Sequence, residues 1–257
     1  MRLLFLGTGG SLGVPVVGCS CPVCHSLDPK NRRLRSSLWI SDEKTSFIID
    51  IGPDFRQQAL HYGLPRPSGI LLTHAHRDHV AGVDEMRAYQ MQNKDPIPCI
   101  ASTPVLHALQ KNYSYLFYDR QDHRLLTGLD FHVLEEDTGE FSFLGHTFSY
   151  VSYEQDGMQV TGFRLGNMAY LCDLHRFDDA IFSKLVGVDL LILGAFRFNL
   201  KQKTLNVDMG IDFAKKVNAK ETLFTHIAHE YPHEKIQSQL PEGMDVAFDG
   251  MSRTFTV

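Results

Sequence analysis

The chain lacks any apolar run approaching the roughly 18 residues that a membrane span requires, and it contains neither an internal repeat nor a low-complexity linker. Positive charge is not in excess. Lys and Arg number 25 against 30 Asp and Glu, a formal charge of −5, which argues against a broad nucleic-acid footprint. The basic run Lys30-Asn31-Arg32-Arg33-Leu34-Arg35 then reads as a solvated loop. Cysteine is scarce, five in 257 residues, too few for a disulfide framework. Three of the five crowd into Cys19-Ser20-Cys21-Pro22-Val23-Cys24, which points to metal ligation in a reducing compartment. The N-terminal apolar run Leu3–Leu6 is too short for a signal peptide and reads as a first strand, so a cytoplasmic location is expected. The glycine-rich Gly7-Thr8-Gly9-Gly10-Ser11 lacks the G-x-G-x-x-G spacing of a dinucleotide loop and the Lys-Ser/Thr of a P-loop. It reads instead as a tight turn near the functional site.

What the chain does have is histidine, 13 in all, and three of them fall in Thr73-His74-Ala75-His76-Arg77-Asp78-His79 directly after the apolar Gly69–Leu72. Imidazole nitrogen and carboxylate oxygen at this density suit Zn²⁺, Mn²⁺ or Fe²⁺, and four donors in seven residues suggest two neighbouring ions. His74 and His76 can face one ion from a turn while Asp78 and His79 open the next helix towards a second. Further donors are expected at the ends of apolar strands, where side chains gather at one sheet edge. Asp173, after Ala169–Cys172, and His226, after Thr222–Thr225, stand in such positions. A carboxylate such as Asp173 can bridge two cations.

Strand-like runs are expected at Leu3–Leu6, Ser37–Ile40, Ser46–Asp50, Ile70–Thr73, Ile97–Ala101, Phe131–Leu134, Phe141–Leu144, Thr147–Val151, Thr161–Leu165, Ala169–Cys172, Asp189–Leu193, Thr222–Thr225 and Asp245–Phe248. Helices are expected at Pro53–His61, His79–Gln92, Thr103–Leu116, Asp178–Leu185, Met209–Val217 and Pro232–Leu240. Nothing demands a domain boundary, so residues 1–257 read as one α/β domain of two packed sheets flanked by helices, with a cysteine-bearing insertion at about 18–35.

The string His229-Glu230-Tyr231-Pro232-His233 spells the H-E-x-x-H of zinc proteases, but Pro232 would break the helix that motif needs and more simply begins one. The three thiols at 19, 21 and 24 are one ligand short of a tetrahedral zinc site. Adjacent His25 would have to fold back sharply, and His229 is the better fourth ligand. Cys99 and Cys172 lie in apolar strands and read as buried small hydrophobes.

Together, Thr-His-Ala-His-Arg-Asp-His, Asp173 and His226 resemble the metallo-β-lactamase superfamily, whose H-x-H-x-D-H motif binds a dinuclear centre. Gly7–Gly10, Cys19-x-Cys21-x-x-Cys24, Ile49-Asp50-Ile51-Gly52 and Thr225-His226-Ile227-Ala228-His229 resemble its PhnP-type phosphodiesterase branch. The resemblance implies an αββα four-layer sandwich. It implies two divalent ions, Zn or Mn, with His74 and His76 at the first, Asp78, His79 and His226 at the second, and Asp173 bridging. It also implies a structural zinc on Cys19, Cys21, Cys24 and His229. The reaction it implies is hydrolysis of a small, often cyclic, phosphodiester by a hydroxide held between the ions, in which Asp78 and Asp173 belong to the catalytic set.

Two departures bear on that expectation. The family's third histidine at the first ion falls on Gln155, with Glu154 and Asp156 beside it as substitutes, and no histidine lies between His146 and His175. A carboxamide oxygen is the weaker ligand, so the first site should bind less tightly. A histidine that relatives use as general acid falls on Asn206, which can donate a hydrogen bond but not a proton near neutral pH. His175, two residues after Asp173, is the candidate replacement acid. Arg77, Arg164 and Arg197 are candidate phosphate contacts. The partner expected is a small phosphorylated molecule, with no membrane, no nucleic acid, and homodimerisation left open by the sequence. Two further readings follow from the same residues: a degenerate member with a mononuclear or non-catalytic site that acts in binding, and an RNA-processing nuclease, which the acidic charge disfavours.

Overall fold

The computed structural model describes residues 1–93, 95–117, 128–194 and 206–257. Among these residues two seven-stranded sheets pack face to face. The first contains β1 (Arg2–Gly7), β2 (Ser37–Ser41), β3 (Ser46–Ile49), β4 (Gly69–Leu71), β5 (Ile97–Ser102), β6 (Leu129–Leu134) and the C-terminal β14 (Ser252–Thr254). Their order across the sheet is β14-β1-β2-β3-β4-β5-β6, parallel from β3 to β6 and antiparallel elsewhere. The second contains β7 (Thr138–Phe143), β8 (His146–Gln155), β9 (Met158–Leu165), β10 (Met168–Leu171), β11 (Leu190–Gly194), β12 (Glu221–Thr225) and β13 (Met244–Val246). Here the order is β13-β12-β11-β10-β9-β8-β7, parallel from β10 to β13 and antiparallel from β7 to β10.

Central strands are apolar on both faces, which is why they read as continuous hydrophobic runs. Leu3 and Phe5 of β1, Leu38 and Ile40 of β2, and Phe47 and Ile49 of β3 enter the core between the sheets. The alternate residues Leu6, Trp39 and Ile48 face α1 (Phe55–Tyr62), α3 (Met86–Gln92) and α4 (Thr103–Asn112). On the far side, Leu191, Leu193 and Phe224 pack under α5 (Ile181–Lys184), α6 (Val207–Val217) and α7 (His233–Gln237). This is the αββα order expected. No helix among the described residues is long and apolar enough to cross a membrane.

The expected single helix at His79–Gln92 is not formed. α2 (Arg77–Val80) ends after one turn, and a 3₁₀ turn at Val83–Glu85 precedes α3. The break comes from packing. Gly82 N donates to Ile51 O, and a Cβ on Gly82 would collide with Gly52 O, as one on Gly52 would with Asp78 O. The segment Ile51–Gly52 after β3 therefore presses directly against α2, and a longer helix would separate them. Strand β14, which has no apolar alternation to announce it, was not expected. The other elements lie where expected to within a few residues, the largest differences being β8, which runs on to Gln155, and α4, which stops at Asn112 before a separate 3₁₀ turn at Ser114–Leu116.

Candidate metal centre

Three of the site's side chains leave strand ends through the left-handed backbone region: Asp50 after β3 (φ 62°), Asp173 after β10 (φ 54°) and His226 after β12 (φ 61°). Non-glycine residues adopt this conformation rarely and at some cost, which a functional requirement can sustain. The turns aim all three side chains at the loop after β4, which carries residues 73–79. All are buried, as are His74, Asp78 and His79.

Asp50, quoted above only as part of a motif, organises the cluster. Its Oδ1 accepts from Thr73 N at 2.8 Å, and its Oδ2 accepts from Thr73 Oγ1 at 2.8 Å and His79 Nδ1 at 2.7 Å. Thr73 has one hydroxyl proton and gives it to Asp50, so its oxygen must accept from His74 Nδ1 at 2.9 Å. One carboxylate thus sets the tautomer of two imidazoles and turns both Nε2 lone pairs inward. Asp50 ends an apolar strand just as Asp173 does, and that was the signal available in the sequence.

The inward atoms converge. His74 Nε2 is 3.1 Å and His79 Nε2 3.2 Å from Asp173 Oδ2, and His74 Nε2 is 2.9 Å from His76 Nδ1. Asp78 Oδ2 lies 3.3 Å from His79 Nε2 and 3.2 Å from His226 Nε2. Two groups with metal-ligand spacing result, His74, His76 and Asp173 on one side, and His79, Cys172, Asp173 and His226 on the other. Asp173 is common to both. Burial alone would raise the Asp78 and Asp173 carboxyls, but the surrounding imidazoles outweigh it and hold both well below the usual range. Burial and then the His79 charge push His74 down. His79 moves the other way. Burial opposes its charge, yet Asp78 and Asp50 more than offset that and raise it well above its ordinary value.

The residues fit cations on an independent count as well. Asp173 Oδ1 and Gln155 Oε1 are buried without a hydrogen-bond partner among the described residues, and unsatisfied buried oxygens are costly unless a ligand completes them. Gln155 ends β8, half a hairpin from Thr161, whose N–H donates to Thr73 O in the motif loop at 2.9 Å. Glu154 pairs instead with Arg176 at 3.7 Å, and Asp156 sits exposed in the hairpin turn.

Other expected residues separate clearly. Asn206 caps α6, its Oδ1 accepting from Met209 N at 2.8 Å, which gives it a structural task. His175 is half-buried, and its Nδ1 has no hydrogen-bond partner among the described residues. Arg164 donates to the carbonyls of Gly166, Lys184 and Val186 and is committed to holding those loops. Arg77 is exposed at the start of α2. Arg197 and His123 lie outside the described residues. His61, His107 and His132 are exposed, and His146 bonds Thr45. Cys99 is fully buried, as expected. Cys172 is fully buried in the core between the sheets, also as expected, and its sulfur lies near the donors His79, Asp173 and His226.

The cysteine loop closes on His229 rather than His25. Sγ of Cys19, Cys21 and Cys24 lies 3.4, 3.4 and 3.5 Å from His229 Nδ1, close to the edge of about 3.6 Å of a tetrahedron with one nitrogen and three sulfurs on zinc. Backbone N–H groups of Val16 and Cys24 reach the sulfurs of Cys24 and Cys21. The second of these bonds is the main cause that lowers the Cys21 thiol to about 6, whereas burial pushes Cys24 up to about 11. His233, the other histidine of the H-E-x-x-H string, faces away. Its Nδ1 accepts from Arg33 Nη2 at 3.0 Å, and Arg33 Nη1 donates to Thr8 Oγ1 and Ala247 O.

This buried Arg33 anchor makes a pH prediction. Burial, then the Arg33 charge, lowers His233 from 6.5 to about 4. Its contribution to stability is present above pH 6.5 and lost as pH falls through 4. Burial raises Asp249, which accepts from Thr8 and Leu34, from 3.8 to about 6. Its contribution runs oppositely, present below pH 3.8 and lost as pH rises through 6. The two slopes oppose each other in the wild type. In thermal melts between pH 4 and 6.5, His233→Gln should lose stability as pH rises and Asp249→Asn should gain it. Parallel profiles for both variants would contradict the assignment.

The family model of the beta-lactamase superfamily domain matches residues 45–227, and the chain belongs to the metallo-β-lactamase superfamily. Within it, the resemblance is to the PhnP-like branch. A crystallised diphosphatase from the PhnP family is 33% identical, with a TM-score of 0.91 over 100% of this chain and 98% of that one. The octanoyltransferase of Porphyromonas gingivalis (strain ATCC BAA-308 / W83) is 30% identical over 254 residues, 98% of this chain but 51% of that protein, so the chain spans about half its length. Zn²⁺-bound PqqB from Methylobacterium extorquens shares the fold at 18% identity, with a TM-score of 0.78 over 99% of this chain and 100% of that one. Fold, family and donor set together define a metal-dependent hydrolase that binds divalent ions.

Proposed function

We propose that the chain is a phosphodiesterase acting on a small phosphorylated substrate, with a cyclic or linear phosphodiester or diphosphate link at the reacting phosphorus. The observation that carries this reading is the pair of donor groups sharing Asp173. When bound there, two divalent ions, zinc or manganese, would supply charge neutralisation for a phosphate and hydroxide near neutral pH. His74, His76, Asp173 and the orphaned Gln155 oxygen form the first position, and Asp78, His79, Asp173 and His226 the second. Asp50 and Thr73 hold the imidazoles in the ligating tautomer. His175 supplies the proton to the leaving oxygen from Nδ1, in place of the capping Asn206. Arg77 is available to the phosphate. A cavity of about 90 Å³ lined by Ser11, Leu12, Val16 and His226 is available to a small organic group of the substrate. Cys19, Cys21, Cys24 and His229 would hold a structural zinc, and five free cysteines accord with a cytoplasmic setting.

Purified protein loaded with Mn²⁺ or Zn²⁺ should carry about three ions per chain and turn over bis(p-nitrophenyl) phosphate or cyclic phosphoribose. His175→Ala should lower kcat by about 10²-fold or more with metal content unchanged. Full metal occupancy without turnover of either substrate would replace this reading with a binding role.

A further inference from the structure

Cys172 is the one donor of the cluster that the scheme above does not use. The alternation of β10 sends Met168, Tyr170 and Cys172 into the core between the sheets, and Cys172 is fully buried. In a continuing strand Asp173 would point to the opposite face. The left-handed turn at Asp173 breaks that alternation, and Cys172 Sγ comes within 4.8 Å of donor atoms of His79, Asp173 and His226. Donors on one zinc ion, at about 2.1 Å for nitrogen or oxygen and about 2.3 Å for sulfur, are separated by roughly 3.3–4.4 Å. The 4.8 Å bound lies close to the upper end of a single coordination sphere. Asp173 Oδ1, in a residue 1% exposed, has no hydrogen-bond partner among the described residues and lies 3.5 Å from His226 Nε2, which points to a cation at this position independently. The backbone here has little freedom, because a Cβ on Gly194 of β11 would stand 2.9 Å from Asp173 N and 3.1 Å from Cys172 Cα.

We propose that Cys172 is a ligand of the ion held by His79, Asp173 and His226, so that this position carries a thiolate and the His74–His76 position does not. On coordination the S–H bond breaks, a sulfur–metal bond forms, and the proton passes to solvent. A thiolate favours zinc, cobalt and cadmium over manganese, whereas imidazole with carboxylate and carboxamide oxygen suits the harder ions. The two positions therefore differ in the metals they select. This rests on the reading of the site as a metal centre and not on its phosphodiesterase chemistry.

Cadmium NMR of the whole chain separates the sites, because each sulfur ligand moves the resonance downfield. The wild type should show a knuckle resonance with three sulfurs and a second displaced by one. Cys172→Ser and Cys172→Ala should return the second to the nitrogen–oxygen range and leave the knuckle resonance in place as evidence of folding. Preference for zinc over manganese at this position should fall about tenfold or more. An active-site resonance already in the nitrogen–oxygen range in the wild type, or one unmoved by Cys172→Ser, overturns the proposal. The wild-type spectrum decides even if the variants fail to fold. Cadmium at the knuckle alone overturns the metal-centre reading and this proposal with it, whereas a one-sulfur resonance in protein without phosphodiesterase activity supports this proposal and removes only the other.

Discussion

Asp173→Asn should empty both active-site positions at once, leaving about one ion per chain, at the knuckle, and lowering kcat/KM by about 10³-fold or more. The size of the effect follows from sharing. Asp173 Oδ2 lies 3.1 Å from His74 Nε2 and 3.2 Å from His79 Nε2, and Oδ1 lies 3.5 Å from His226 Nε2. A neutral carboxamide cannot offer two anionic oxygens to two cations. Asn tolerates the left-handed conformation that Asp173 adopts, so the turn after β10 should survive. Circular dichroism should remain that of the wild type while elemental analysis reports the loss. Retention of both ions by Asp173→Asn would remove Asp173 from the bridging position. A variant at Gln155 should act differently, because Gln155 belongs to the first position alone.

The difference between Asp173 and Gln155 also marks what a sequence can disclose. His74, His76, Asp78 and His79 were legible because a metal site drawn largely from seven consecutive residues leaves its spacing in the text. Asp173 and His226 were legible because apolar strands end just before them, and strand ends share an edge. The layered fold followed from the same runs. Asp50 carried the same signal, but its role depends on Thr73 relaying one proton to orient a second imidazole, a three-dimensional relation with no spacing of its own. Cys172 shows the same limit. Apolar strand context predicts a buried thiol correctly and says nothing of the left-handed turn that brings its sulfur to the donors. The helix expected at His79–Gln92 failed on contact between Gly52, Gly82 and Ile51, residues about thirty positions apart whose meeting no local periodicity encodes. Asn206 was given a chemical reading where its location at the start of α6 made a cap the simpler one.

His229→Ala should remove one zinc per chain and destabilise the protein by about 4 kcal/mol or more, the range in which loss of a structural metal falls. Structural zinc in isolated peptides contributes about 10–16 kcal/mol to folding, but here the loop has other moorings. Asn31 Oδ1 accepts from His233 N at 2.8 Å, Arg33 bonds His233, and Gly9 bridges Arg35 and Ile227. These contacts should keep the sheets folded while the cysteine loop loosens. The consequence extends to the active site through three residues of chain. Ile227 N donates to Thr8 O at 2.8 Å and Gly10 N donates to Ile227 O at 3.0 Å, so the same crossing that receives the knuckle holds the left-handed turn of His226. A Cβ on Gly10 would already touch the His226 ring at 3.3 Å. Loss of the knuckle zinc should therefore weaken the ion at Asp78, His79 and His226 about tenfold, the scale of an outer support, and spare the ion at His74 and His76. His25→Ala is the control, since His25 lies outside the ligand group, and it should leave zinc content and melting temperature unchanged. If His25→Ala lost the zinc and His229→Ala kept it, the link between the cysteine loop and the β12 edge would be wrong.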